Sequence, residues 1–159
     1  MKAAPKCVAL VATVTGVLCI LTGSAAAMTT SPSLYTRLGG ETVMTAVVSE
    51  TIDEVVADPR LNQSFKGSDI PRVKRLIVEQ ICDLAGGGCH YSGDSMHDVH
   101  ANHNITQAEF FGLVADLRKA LRRHHVSLRE RNELLALLAP MAPDVINVVT
   151  PPPPKRPAS

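Results

Sequence analysis

The chain has 159 residues, with 16 lysines and arginines against 15 aspartates and glutamates, for a formal net charge of +1. That balance lacks the positive excess that draws a protein to nucleic acid or an anionic membrane surface, so neither is implied as a partner. The length suits one packed core.

At the start, Lys2 and Lys6 precede an apolar run from Cys7 to Leu21, and small residues lead to Ala25-Ala26-Ala27. This is the pattern of a secretory signal cleaved after Ala27. Thr13, Thr15, Gly16 and Thr22-Gly23-Ser24 dilute the run, whereas a membrane span needs roughly 20 apolar residues. Cys19 offers a lipoprotein alternative, weakened by Leu18 directly before it, where such processing wants a small residue. Cleavage removes two lysines and no acid, leaving 132 residues and a charge of −1. The expectation is an exported protein, periplasmic or secreted, with no integral membrane span after signal removal and a single domain over residues 28–148.

Helical periods run through that domain, and no alternating stretch is long enough for a sheet, so the fold class is all-α. Ser33 caps a short helix reaching Leu38 and stopped by Gly39-Gly40. A second helix, from Glu41 to about Ala57, buries Val43, Val47, Val48, Ile52 and Val55 and ends at Asp58-Pro59. After a loop with Phe65 and Gly67, Ser68 or Asp69 caps a third helix, with Pro71 in its first turn. Val73, Leu76, Ile77, Gln80, Ile81 and Leu84 line one face, and Gly86-Gly87-Gly88 terminates it. A short helix covers roughly Asp94 to Ala101. Thr106-Gln-Ala-Glu109 is a capping box opening a long helix with Phe110, Leu113, Val114, Leu117 and Leu121 inward. Ser127-Leu-Arg-Glu130 reads as a second box, before Leu134, Leu135, Leu138, Met141 and Val145, with bends or breaks at Pro140 and Pro143. The end, Thr150 to Pro157 with Pro151–Pro154, reads as a solvated polyproline-like tail over 149–159.

Two features carry chemistry. Cys82 and Cys89 are the even pair left after signal removal, and in an exported chain they read as a local disulfide; the alternative is a Cys82 buried as a simple apolar residue. His97, His100 and His103 recur at three-residue spacing after the glycine break. A neutral imidazole can hold iron or zinc. A shared zinc is the weaker reading, because residues six apart on a helix diverge in angle and Asn102-His103-Asn104 leaves the helix.

The order of these elements resembles the truncated haemoglobins of group 1. The residues that carry the likeness are Leu34-Tyr35-Thr36-Arg37-Leu38-Gly39-Gly40, Val55 to Leu61, Phe65 with Gly67, Gly86-Gly87 ahead of Tyr91-Ser92-Gly93, Met96 to His100, Ile105-Thr106 with Phe110, and Leu138-Ala139-Pro140. The likeness spans Ser33 to Val148. It implies a two-over-two helical sandwich around haem b, iron protoporphyrin IX, with His100 as the proximal ligand to iron. It places Phe65 on the porphyrin face, Met96, Val99, Ile105 and Phe110 on the proximal side, and Leu113 and Leu138 on the walls. Lys74 or Arg75 is a candidate for the haem propionates. No Cys-x-x-Cys-His is present, so covalent attachment of the c type is not indicated.

On the distal side the chain departs from relatives. Ile52 stands where a tyrosine is usual, after Thr51 where an aromatic is common, and Ile77 stands where a polar group is frequent, with Val73 one turn earlier. Leu76 occupies the place from which some relatives recruit a sixth ligand. Asn102 and Asn104 replace glycines, and asparagine tolerates the left-handed backbone.

The implied function is binding of a diatomic gas, O2, NO or CO, for oxygen transport, sensing or nitric oxide detoxification, the last needing an electron donor or reductase. Thr51 or Gln80 would restore a donor if its helix slipped or rotated. Two alternatives stand beside it: a peroxidase-like haem enzyme and a haem-free helical sensor or interaction domain.

Overall fold

The computed structural model describes residues 31–148. The signal-like segment and the proline-rich tail fall outside the described residues. Within them lie α1 (Leu34–Arg37), α2 (Gly40–Ala57), α3 (Ile70–Leu84), α4 (Met96–His100), α5 (Gln107–Arg123), α6 (Leu128–Leu138) and α7 (Ala142–Val145). Short 3-10 turns occur at Asn62–Phe65 and Ala139–Met141. Among the described residues the only extended pairing is an isolated bridge between Thr106 and Val148, so the all-α expectation holds.

Helix limits follow the capping side chains. Ser33 accepts from the Thr36 N–H, Asp69 from the Arg72 N–H, and Thr106 and Glu109 form a reciprocal capping box. Two expectations change. Helix α4 begins at Met96, two residues beyond Asp94, because Ser95 captures the Asp98 N–H. The box expected at Ser127 does not form: its hydroxyl donates to the Glu130 carboxylate, which also takes Arg37, and no backbone N–H is capped.

Helix α2 is the spine, packing along both α3 and α5. Its fully buried side chains are Met44, Val47, Val48, Ile52 and Val55. Val43, expected inside, is only partly buried; it closes over Gly39, where a Cβ would lie 2.4 Å from Val43 Cγ2. Gly39 also has φ +100, so glycine is required there twice over. Met44 takes the core position instead. On α3, Ile81 and Cys82 are buried, whereas Leu84, expected inside, is exposed.

Val73, Leu76, Ile77 and Gln80 on α3, and Phe110, Leu113 and Val114 on α5, are half-buried despite their apolar register. They face an internal cavity. The packed core lies beyond it, formed by Tyr35, Leu38, Leu117, Leu121 and Leu134 with the α2 residues.

Cys82 and Cys89 are joined by a disulfide with a Cα–Cα distance of 5.6 Å. The intervening turn is tight. A Cβ on Gly87 would sit 2.5 Å from both Cys82 Sγ and the Tyr35 ring.

Candidate functional site

The cavity has a volume of about 660 Å³ and is bounded by α2, α3, α4, α5 and the segment Leu138–Val145. That size is typical of cofactor pockets, which run roughly 300–1,000 Å³. Ile52, Phe65, Val73, Ile77, Met96, Val99, His100, Ile105, Phe110, Leu113 and Leu138 all line it, so eleven of the twelve residues singled out in the sequence are brought together.

Lys74 is the exception. Its ammonium donates to Asp53 Oδ1 at 2.7 Å and Ser49 Oγ at 3.0 Å, on the outer side of α2. Arg75 is likewise engaged, with Glu79 at 2.5 Å. Two residues before Lys74, Arg72 lies on the cavity margin instead, with Arg118, Tyr91, Asp94 and His103 also on the lining. Sequence spacing alone does not separate Arg72 from Lys74, because the deciding feature is Asp53 on another helix.

His100 ends α4. Its Nδ1 donates to the Met96 carbonyl oxygen at 2.7 Å. Since a carbonyl can only accept, the proton is on Nδ1, and Nε2 keeps the lone pair that a metal requires. Burial holds the imidazole below the usual histidine range, partly offset by the Met96 carbonyl, while neighbouring His103 lowers it further. A half-buried neutral imidazole in an apolar cavity is the donor that haem iron takes.

The other histidines do not join it. His97 is exposed beside Asp98, and His103 Nδ1 pairs with the Ser64 carbonyl at 2.9 Å. Among the described residues no three histidine, cysteine or acidic side chains converge on one metal position, which removes the zinc alternative. The turn after His100 holds Asn102 at φ 67 and Asn104 at φ 53, left-handed as expected.

On the opposite wall, Ile52 is 1% exposed and Thr51 is 3% exposed. The Thr51 hydroxyl donates back to the Val47 carbonyl at 2.8 Å. Gln80, the remaining polar side chain on this stretch of α3, points its amide nitrogen at Met96 Sδ (3.2 Å) and Met141 Sδ (3.6 Å). Both candidate donors are therefore occupied. Met141, and Asn147, whose side-chain amide donates to the His100 carbonyl oxygen at 2.8 Å, were not recognisable as site residues, because each acts through a fold-back of the last segment.

A profile of the bacterial-like globins matches residues 33–147. The group 1 truncated hemoglobin of Mycolicibacterium paratuberculosis is 36% identical over 114 residues, covering 71% of this chain and 83% of that protein. The group 1 truncated hemoglobin of Tetrahymena pyriformis is 27% identical, and its Fe(III) crystal structure superposes with a TM-score of 0.68 over 72% of this chain and 98% of that one. The 2/2 hemoglobin of Synechococcus, solved in the cyanomet state with covalently attached heme, gives a TM-score of 0.67 at 26% identity, over 74% of this chain and 100% of that one. With a cavity of cofactor size, a neutral imidazole on its wall and these relatives, the chain belongs to the group 1 truncated haemoglobins, two-over-two globins that bind haem and, at its iron, a diatomic gas.

Proposed function

We propose that His100 Nε2 is the axial ligand of the haem iron and that the pocket favours nitric oxide and carbon monoxide over dioxygen. Haem held by His100 would supply an iron able to bind a diatomic gas. The protein supplies the rest. Apolar side chains from α2, α3 and α5 exclude water, Phe65 lines the cavity where it would pack on the ring face, and the Met96 carbonyl fixes the His100 tautomer. Arg72 and Arg118 are the arginines at the cavity margin suited to a haem propionate.

The observation that carries the gas preference is the fate of the two candidate donors. Thr51 gives its hydroxyl proton to Val47, and Gln80 turns its amide NH2 to two sulfurs. Dioxygen becomes polarised on binding and depends on a hydrogen-bond donor more than the other two gases do. A missing donor costs about 0.5–1.5 kcal/mol, roughly two- to twelvefold in dissociation rate. Stopped-flow measurement on the ferrous protein tests this: dioxygen should leave fast. A slow rate that Thr51→Val accelerates would contradict the reading. Nor do Thr51, Ile52, Val73 and Ile77 offer an acid or base of the kind that peroxide cleavage uses, so the peroxidase-like alternative finds no support on this wall.

We also propose that the protein is exported and works in an oxidising compartment. The signal-like residues 1–27 support this, as does the Cys82–Cys89 disulfide, a bond that reducing compartments do not maintain. Sustained nitric oxide turnover there requires an electron donor that returns the iron to the ferrous state.

A further inference from the structure

Gas binding as proposed makes no direct use of the Gln80 amide, although it is a polar side chain flanked on α3 by Ile77 and Ile81 in an apolar wall. Such a group is costly to place unless it is paired. Its pairing is unusual: the amide nitrogen faces two thioethers, Met96 Sδ and Met141 Sδ. A thioether has lone pairs and no proton, so the NH2 end of the amide, and not its carbonyl, must meet the sulfurs.

Met96 is also the residue whose carbonyl accepts the His100 Nδ1 proton. It opens α4, a helix of five residues. A helix this short has no stability of its own and holds its place only through its tethers. Ser95 caps one end and Asn147 holds the His100 carbonyl at the other. The Met96 side chain is the tether that reaches across the cavity to α3.

We propose that Gln80 is a positioning residue for His100. By fixing the Met96 thioether it fixes the first turn of α4, and with it the carbonyl that sets the angle and tautomer of the imidazole. Met141 braces the same amide from the 3-10 turn after α6, so one carboxamide ties together three segments around the cavity. The proposal rests on His100 as the axial ligand.

The test uses haem-loaded protein carrying Gln80→Leu, Met96→Leu, both together, or Gln80→Met, a substitution of similar bulk without a donor. Two quantities are read: the iron–histidine stretching band of the ferrous form by resonance Raman, and the rate of haem transfer to excess apomyoglobin. Each single substitution, including Gln80→Met, should shift or broaden the band and speed haem transfer roughly tenfold. The Gln80→Leu/Met96→Leu pair should do no more than its stronger member, because both act through one contact. Should Gln80→Leu not fold, Gln80→Met carries the same test. An unchanged band in the single variants, additive effects in the pair, or wild-type behaviour of Gln80→Met would overturn the proposal. An iron–histidine band that survives in His100→Ala would overturn the ligand assignment itself, and this proposal with it.

Discussion

The carboxamide of Asn147 donates to the His100 carbonyl oxygen at 2.8 Å, while its oxygen accepts the Ile105 N–H at 2.8 Å. The backbone N–H groups of Asn147 and Val148 both go to the Ile105 carbonyl. The last described residues thus fasten the loop that follows the imidazole. Asn147→Ala leaves two backbone groups without partners, and a cost of about 1–2 kcal/mol is expected. Urea unfolding of the haem-loaded protein should show a lowered midpoint with an unchanged slope.

Ile52 lines the cavity, and on the proposed reading it is the position where a phenol would change ligand choice. Ile52→Tyr places a donor beside the gas, and the dioxygen dissociation rate should fall roughly tenfold or more. Carbon monoxide dissociation should move much less. Because Ile52 is 1% exposed, the larger ring also costs about 1–3 kcal/mol of stability through overpacking, visible as a lower melting temperature.

The disulfide closes a short loop, and in the chain-entropy view such a bridge contributes about 2–3 kcal/mol. Paired Cys82→Ser and Cys89→Ser substitutions should lower stability by that order, and dithiothreitol should lower the wild type equally without affecting the variant. Gly87→Ala should act in the same direction, since its methyl group would collide with Cys82 Sγ and the Tyr35 ring inside the core. Thermal unfolding with and without reductant checks both.

Glu50 and Glu54 on α2 face Arg123, Lys119 and His124 near the end of α5. The Arg123 guanidinium bonds to both glutamates, at 2.6 Å for Glu54; Lys119 adds to Glu54 at 3.0 Å and His124 to Glu50 at 3.0 Å. Hydrogen bonding from Arg123 is the main cause holding both carboxyls below the ordinary glutamate value of 4.5. A lowered folded-state value means the contribution is complete above pH 4.5 and is lost as pH falls through the lowered value. This contribution to the unfolding midpoint should therefore be level from neutral pH down to about 5 and drop below it. Arg123→Gln should flatten that acid limb.

Helix starts were legible because the instruction is local. Ser33, Asp69 and the Thr106–Glu109 pair each bond within three residues, so sequence spacing suffices. Ser127-Leu-Arg-Glu130 has the same spacing, yet Arg37 from α1 takes the Glu130 carboxylate and no box forms. The cavity wall was legible for a related reason: an inward helical face reads the same whether it meets side chains or a cofactor. What could not be read were long-range pairings. Lys74 is drawn to Asp53 across 21 residues, and Asn147 reaches His100 across 47. Neither leaves a mark on local periodicity.

Absorption spectra of the wild type and His100→Ala, each produced with haem available, address the iron ligand most directly. The wild type should be coloured, with a ferrous spectrum that carbon monoxide shifts, and the variant should lose the haem or show a different spectrum that added imidazole returns toward wild type. Identical spectra in the two proteins, before and after carbon monoxide, would contradict the assignment of His100.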